Sequence, residues 1–237
     1  MQYLLLHGFT GTPESLASLA APPGSLAPAL GGHVHTPLLG GFDDEVERVA
    51  KLAGERGGLF GYSLGGRLAL GLLARYPRRF RHAVVVSAQP GLLSDAERAA
   101  RRTADAHFVQ LLEREGVPAF VDAWQKLPLW ASQGALPEAV RLAQRAQRLR
   151  HDAAGLAASL LRHGLGEMPD LRPFLAQVET QVELVVGELD DKFVRQNREL
   201  LRLLPRARLT IVPGVGHNVP LESPASIARL LLQGEPS

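Results

Sequence analysis

The stretch Leu59 to Leu70 constrains the chain most. An apolar run turns sharply through Gly61-Tyr62-Ser63-Leu64-Gly65-Gly66-Arg67 and continues as Leu68, Ala69 and Leu70. Leu59 and Phe60 read as a strand end, and Arg67 to Ala74 holds good helix formers with no proline before Pro77. A strand that becomes a helix within so few residues needs small residues on either side of the bend. Gly61-x-Ser63-x-Gly65 supplies them and pushes the Ser63 hydroxyl outward into a cleft. Ser63 is therefore the candidate nucleophile. The spacing alone is weak in a chain of 24 glycines, where ordinary turns produce it by chance; the strand–turn–helix setting gives it weight.

Other apolar runs set the fold class. Gln2 to Leu6 reads as a short apolar strand, and Ala83-Val84-Val85-Val86, Val182 to Val186 and Arg208 to Val212 as strands buried on both faces. His33-Val34-His35 alternates like a further strand and would place both imidazoles on one face, without a third ligand nearby to make a metal site. Asp43 and Asp44 read as N-cap and first-turn acid of a helix through about Glu55, and a helix from Gly66 to about Tyr76 follows the elbow. Strands alternating with helices predict an α/β fold, a mostly parallel sheet with right-handed crossovers and helices on both faces.

Leu93 to about Pro169 interrupts this alternation, with helical candidates at Asp95 to Glu115, Pro118 to Leu127, Pro137 to Arg150 and Asp152 to His163. It reads as a helical lid (93–169) inserted into a core formed by 1–92 and 170–237. Its ten Lys or Arg and nine Asp or Glu between Ser94 and Glu167 nearly cancel, which argues against a basic surface or a membrane anchor. The whole chain, 237 residues with a net charge of +2, has neither the clustered basic stripe expected of a nucleic-acid binder nor an apolar run long enough to span a bilayer. It has no cysteine, so disulfides, thiol nucleophiles and thiolate metal sites are excluded. A cytoplasmic location is expected, with no nucleic-acid partner, no membrane insertion and no cofactor; oligomeric state is not legible.

A serine hydroxyl becomes a useful base or nucleophile when a histidine takes its proton and an acid fixes that histidine's tautomer. His217 follows the last strand in a Gly-rich loop, alone among the eight histidines at a late strand end. Gly187-Glu188-Leu189-Asp190-Asp191-Lys192 follows the preceding strand; Asp190 is the favoured acid and Asp191 its competitor. Backbone amides of Phe9, in the loop His7-Gly8-Phe9-Thr10-Gly11 after the first strand, and of Leu64, at the helix start, would form an oxyanion hole. Arg67 lies one helical turn past Ser63, and its side chain leans back toward the pocket. Arginine early in a helix opposes the dipole, a small argument for a role with an anionic ligand; from the residues alone a solvated charge or a salt bridge to the lid explains it equally well.

With these residues the chain resembles the α/β-hydrolase fold, and within it the synthases of menaquinone biosynthesis that make 2-succinyl-6-hydroxy-2,4-cyclohexadiene-1-carboxylate. The marks are Leu6-His7-Gly8-Phe9, the Gly61 to Arg67 elbow, Phe120 to Ser132 with Trp124 and Trp130, Gly187-Glu188-Leu189-Asp190 followed by Lys192-Phe193, and Gly216-His217. The resemblance implies a lyase that removes pyruvate from a tricarboxylate, 2-succinyl-5-enolpyruvyl-6-hydroxy-3-cyclohexene-1-carboxylate. Ser63, with His217 and Asp190, would abstract a ring proton, and no acyl-enzyme would form. It further implies substrate contacts from Tyr62, Arg67, Arg102, Trp124, Arg150 and Lys192. Phe120 and Trp124 are also spaced as the core face of a helix, so packing alone explains them. The chain lacks the antiparallel strands that usually precede the His-Gly-Phe strand, so a sheet of about six strands is expected. Thr36 to Gly41 lacks the Asp-x-Pro-Gly-His-Gly form of relatives. A carboxylesterase would use the same triad through an acyl-serine, and a non-catalytic small-molecule receptor on this fold would typically lack a triad member.

Overall fold

The computed structural model describes residues 1–54 and 56–233. Among them five parallel strands form one sheet in the order β1 (Tyr3–Leu6), β2 (Gly58–Tyr62), β3 (His82–Val86), β4 (Gln181–Gly187) and β5 (Ala207–Val212). Each strand pairs in register with the next, as Leu6 with Gly61, Tyr62 with Val86, Val86 with Val185, and Gly187 with Val212. Every residue of β1, β2 and β3 is buried, as the continuous apolar runs require, whereas β5, expected to be buried on both faces, lies at the end of the sheet and is fully buried only at Val212.

Alternate side chains serve two cores. Leu4, Leu6, Leu59, Ala83, Val85, Val182 and Leu184 face α1 (Phe42–Ala50) and α2 (Leu64–Arg75). Tyr3, Leu5, Phe60, Val84, Val86 and Val185 face the 3-10 helix Pro13–Leu19 and the C-terminal helix. Leu68, Leu70, Leu72 and Leu73 of α2 are fully buried, each worth about 1.5–3 kcal/mol of burial. The helix carrying the elbow is thus anchored on nearly all sides.

Between β3 and β4 come α3 (Asp95–Trp124), a 3-10 helix (Pro128–Ala135), α4 (Glu138–Arg148) and α5 (Ala153–His163). α3 is broken at Gly116, whose φ of 79° only glycine adopts freely, just before Pro118. Val109, Leu112, Phe120, Val121, Trp124, Trp130, Leu156 and Leu160 give this segment a small core of its own. The chain then runs through α6 (Arg172–Leu175), β4, α7 (Asp191–Leu201), β5, α8 (Val219–Glu222) and α9 (Pro224–Gln233). None of the described helices is long and apolar enough to cross a membrane.

Three expectations are corrected. The described sheet has five strands rather than six, because the strand expected at His33-Val34-His35 is a turn. Val34 and His35 have φ of 48° and 59°, and Gly32 N–H donates to Thr36 O (2.9 Å), closing the bend. His33 and His35 therefore diverge, one fully buried and the other exposed beside Asp152. What pairs with the free edge of β1 is a single parallel bridge from Leu26 to Leu4. The N-cap of α1 is Gly41, whose N–H donates to Asp44 Oδ2 (2.8 Å), so Asp43 and Asp44 both sit in the first turn. That helix ends at Ala50, short of the expected extension: residues 51–53 form a turn, and Glu55 itself lies outside the described residues.

Candidate active site

The site gathers at the carboxyl ends of β1, β2, β4 and β5, where open α/β sheets place their ligands. Ser63 has φ 51° and ψ −107°, strained for a residue with a side chain, and the close approach of β1, β2 and α2 holds it there. A Cβ on Gly61 would stand 2.2 Å from Gly65 O, and one on Gly65 would stand 2.1 Å from Leu6 O. Only glycine fits at either position, which is the physical content of the Gly-x-Ser-x-Gly spacing.

His217 lies in the loop after β5 and Asp190 in the loop after β4, so the sheet order brings both to Ser63. His217 Nδ1–H donates to Asp190 Oδ2 at 2.7 Å, and the Ser63 hydroxyl donates to His217 Nε2 at 3.1 Å. The pair is almost completely buried. Asp190 also caps α7, whereas its competitor Asp191 is exposed on the first turn of that helix and Glu188 accepts from Gly214 N–H (2.9 Å). The structure therefore gives the histidine Asp190 as its acid.

At the elbow, Ser63 N–H donates to Val86 O and Gly65 N–H to His7 O. Leu64 lies between them at the first position of α2, where an amide has no intrahelical partner. Phe9 and Leu64 line the same cavity as Ser63 and His217, a space of about 140 Å³. Tyr62, Arg67, Trp124 and Lys192 also line it. Tyr62 is buried, and burial pushes its phenol well above the usual range; its hydroxyl has no hydrogen-bond partner among the described residues. Trp124 stacks on Phe120 at 5.5 Å and meets Phe9 edge to face at 5.3 Å, so it is core and cavity wall at once. Lys192 is an exposed rim residue with Nζ 5.8 Å from the Phe193 ring.

Arg67 is held by one hydrogen bond, Nη1–H to His163 O at 2.8 Å. Among the described residues no carboxylate lies within salt-bridge distance of it, and burial, with the Arg101 charge adding to it and Asp105 opposing it, pulls its guanidinium down to about 9.

Two arginines expected in the pocket lie elsewhere. Arg102 donates to Gly166 O (2.9 Å) and approaches Glu167, half exposed. Arg150 follows the end of α4 and reaches outward to Glu14 at 3.5 Å. Their neighbours stand in their place. Arg101 lines the cavity while paired with Asp105 at 2.9 Å, one helical turn along α3. Arg148, the last residue of α4, is 4% exposed, with its guanidinium 5.3 Å over the Trp130 ring and Nη1 unpartnered; burial lowers it to about 10. Arg148 lines a second space of about 490 Å³ that shares Phe9, Tyr62 and Trp130 with the first. The sequence also missed Ser87, Ser159 and His163, cavity-lining residues with unpartnered buried polar atoms. Helical phase was the available signal for Arg148: Arg141, Arg145 and Arg148 share one face of α4, and Arg145 pairs with Asp122 of α3.

A family model described as "Alpha/beta hydrolase family" matches residues 3–230. The chain is 36% identical to the putative 2-succinyl-6-hydroxy-2,4-cyclohexadiene-1-carboxylate synthase of Bacillus subtilis (strain 168), over 95% of this chain and 87% of that protein. The chain belongs to the α/β hydrolase family, on the branch of these synthases. A second synthase of this α/β hydrolase branch, from Escherichia coli O1:K1 / APEC, is 30% identical over 97% of this chain and 92% of its own length. The solved structure of MenH from S. aureus superposes with a TM-score of 0.92 at 27% identity, covering 98% of this chain and 92% of that one. An α/β hydrolase scaffold accounts for the elbow, the strand-end loops and the order Ser63, Asp190, His217.

Proposed function

We propose that the protein is a 2-succinyl-6-hydroxy-2,4-cyclohexadiene-1-carboxylate synthase, a carbon–oxygen lyase that eliminates pyruvate from 2-succinyl-5-enolpyruvyl-6-hydroxy-3-cyclohexene-1-carboxylate. The observation that carries the reading is the pairing of a complete serine, histidine and aspartate relay with Arg148, buried, and Arg67, half-buried at the cavity wall, neither of which forms a salt bridge to a carboxylate among the described residues. An uncompensated buried cation is costly, and a substrate with three carboxylates removes that cost.

The chemistry follows from the substrate. The ring proton next to the succinyl ketone is acidified by that carbonyl. Ser63 Oγ takes it while passing its own proton to His217 Nε2, and Asp190 stabilises the imidazolium. The Phe9 and Leu64 amides hold the enolate oxygen. Its electron pair moves through the ring double bond and expels the enolpyruvyl oxygen. The ring gains its second double bond, and the leaving enolpyruvate takes up a proton to become pyruvate. Tyr62, Arg67, Arg101, Trp124 and Arg148 orient the substrate, with Lys192 at the rim. Residues 93–169 serve as the lid over a core of 1–92 and 170–237.

The same relay could attack an ester carbonyl, so the test is paired. Purified protein is assayed for pyruvate release from the enolpyruvyl substrate and for hydrolysis of short nitrophenyl esters, with Ser63→Ala as control. Rapid pyruvate release with feeble ester hydrolysis, both lost in Ser63→Ala, is the expected outcome. Efficient ester hydrolysis without pyruvate release would make the protein an esterase and refute the proposal.

A further inference from the structure

The loop that carries Phe9 is clamped by imidazoles outside the catalytic relay. Thr10, next to Phe9, is buried and has φ 62°, a left-handed conformation that a β-branched residue adopts only under constraint. Both its backbone groups end on histidines. Its N–H donates to His33 Nε2 (3.3 Å), and its carbonyl accepts from His151 Nε2–H (3.1 Å).

The backbone fixes the tautomers. Val34 N–H donates to His151 Nδ1 (3.1 Å), so the proton of His151 must sit on Nε2 and point at Thr10. His33 accepts on Nε2, so its proton sits on Nδ1 and goes to Gly31 O at 3.1 Å. His7 completes the cluster, with Nε2 accepting from Leu30 N–H (3.1 Å) and Nδ1–H donating to Gly8 O (2.9 Å). The His33 ring packs edge to face against His7 (5.0 Å), His151 (5.3 Å) and Phe9 (5.6 Å). Burial lowers the proton affinity of all three imidazoles, as neutral rings with both nitrogens engaged require.

His151 differs from its two partners in origin. His7 and His33 belong to the core, whereas His151 lies in the link between α4 and α5, within the inserted segment. It reaches 141 residues back along the chain to the strained loop. We infer that His151 is a positioning residue: by holding Thr10 O and Val34 N–H together it fixes the Phe9 amide, so the seating of the inserted segment sets the oxyanion site. This rests on the reading of Phe9 as an oxyanion donor. Without His151, Thr10 relaxes from its left-handed conformation and the adjoining amide turns away from the cavity. A donor misplaced by about 1 Å costs roughly tenfold to a hundredfold in rate.

The test is His151→Ala, with His151→Gln as the conservative variant whose amide offers Val34 an acceptor and Thr10 a donor. For pyruvate release, kcat falls by roughly tenfold to a hundredfold in the Ala variant while KM changes by less than about threefold, since the clamp touches no substrate. The Gln variant recovers part of kcat. Hydrogen exchange speeds up at the amides of residues 8–11 and is unchanged in β2, β3 and β4. Unaltered kcat and unaltered exchange at residues 8–11 would overturn the inference. So would faster exchange spread through the sheet, or a Gln variant as impaired as Ala. If the unaltered protein releases no pyruvate, the proposed function fails by itself, and exchange at residues 8–11 still decides whether His151 holds the loop.

Discussion

Arg67→Met should make the protein more stable and less active, and the structure sets the size of both effects. Burial draws the Arg67 guanidinium well below its ordinary value, to about 9, which at ~1.4 kcal/mol per pH unit is about 5 kcal/mol against the charged form. That figure is an upper bound. Arg67 is only half-buried, because its cavity side is open to water, and its bond to His163 O returns about 1 kcal/mol. Methionine keeps most of the side-chain volume without the charge, so a net gain of about 2 kcal/mol is expected, within the range for replacing buried charges by apolar groups. For a chain of this length that raises Tm by roughly 4–8 °C. On the substrate side, losing a buried guanidinium–carboxylate contact costs about 3 kcal/mol, near a hundredfold in kcat/KM for pyruvate release. Differential scanning calorimetry and a coupled pyruvate assay read the two effects on the same preparation. A variant with lowered Tm and unchanged kcat/KM would refute the reasoning, because Arg67 would then be a structural cation.

The corrected register of the arginines gives a paired test: Arg148→Met should lower kcat/KM for the tricarboxylate by roughly tenfold or more, while Arg150→Ala, which removes only an exposed contact to Glu14, leaves it within about twofold. The reverse ranking would move the substrate to the outer face of α4. Acid should weaken the fold: His7 titrates at about 4 when buried against 6.5 when free, so only the unfolded chain takes the proton between those values. Stability is full above about pH 6.5 and falls toward pH 4, with about 2 kcal/mol lost by pH 5 from His7 alone; urea midpoints unchanged between neutral pH and pH 5 would count against it. Gly65→Ala drives a methyl into the Leu6 and His7 carbonyls and should cost about 3 kcal/mol together with activity; a well-folded, active variant would mean that β1 and α2 yield more easily than their packing implies.

The parts of the fold legible from sequence were those dictated by local chemistry. The elbow glycines are required because a Cβ at either position would stand about 2 Å from the facing backbone carbonyl, so their spacing reports the fold directly. Runs such as Ala83 to Val86 are buried on both faces and carry their own signature. His33-Val34-His35 failed for a reason equally physical. Its alternation mimics a strand, but the two histidines are separated by a left-handed bend that hydrogen bonds from Gly32 and Thr36 stabilise, and one imidazole is spent on Thr10. Periodicity over three residues cannot tell these cases apart.

The arginines show where local reading ends. Arg101 and Arg102 are adjacent on α3, about 100° apart around its axis, and only the partner helix decides which of them faces the cavity. Packing against α5 leaves Arg102 with the Gly166 carbonyl and turns Arg101 inward, where Asp105 steadies it. At the end of α4 the deciding contact is aromatic. Trp130, delivered by the 3-10 helix that follows α3, receives the Arg148 guanidinium on its face, and the chain leaves the helix before Arg150 can point the same way. Composition could place cations in this segment without saying which were desolvated. A guanidinium buried without a salt bridge to any described carboxylate, as at Arg148, is visible only once the fold has closed around it, and under the proposed function that deficit is what suits it to an anionic substrate.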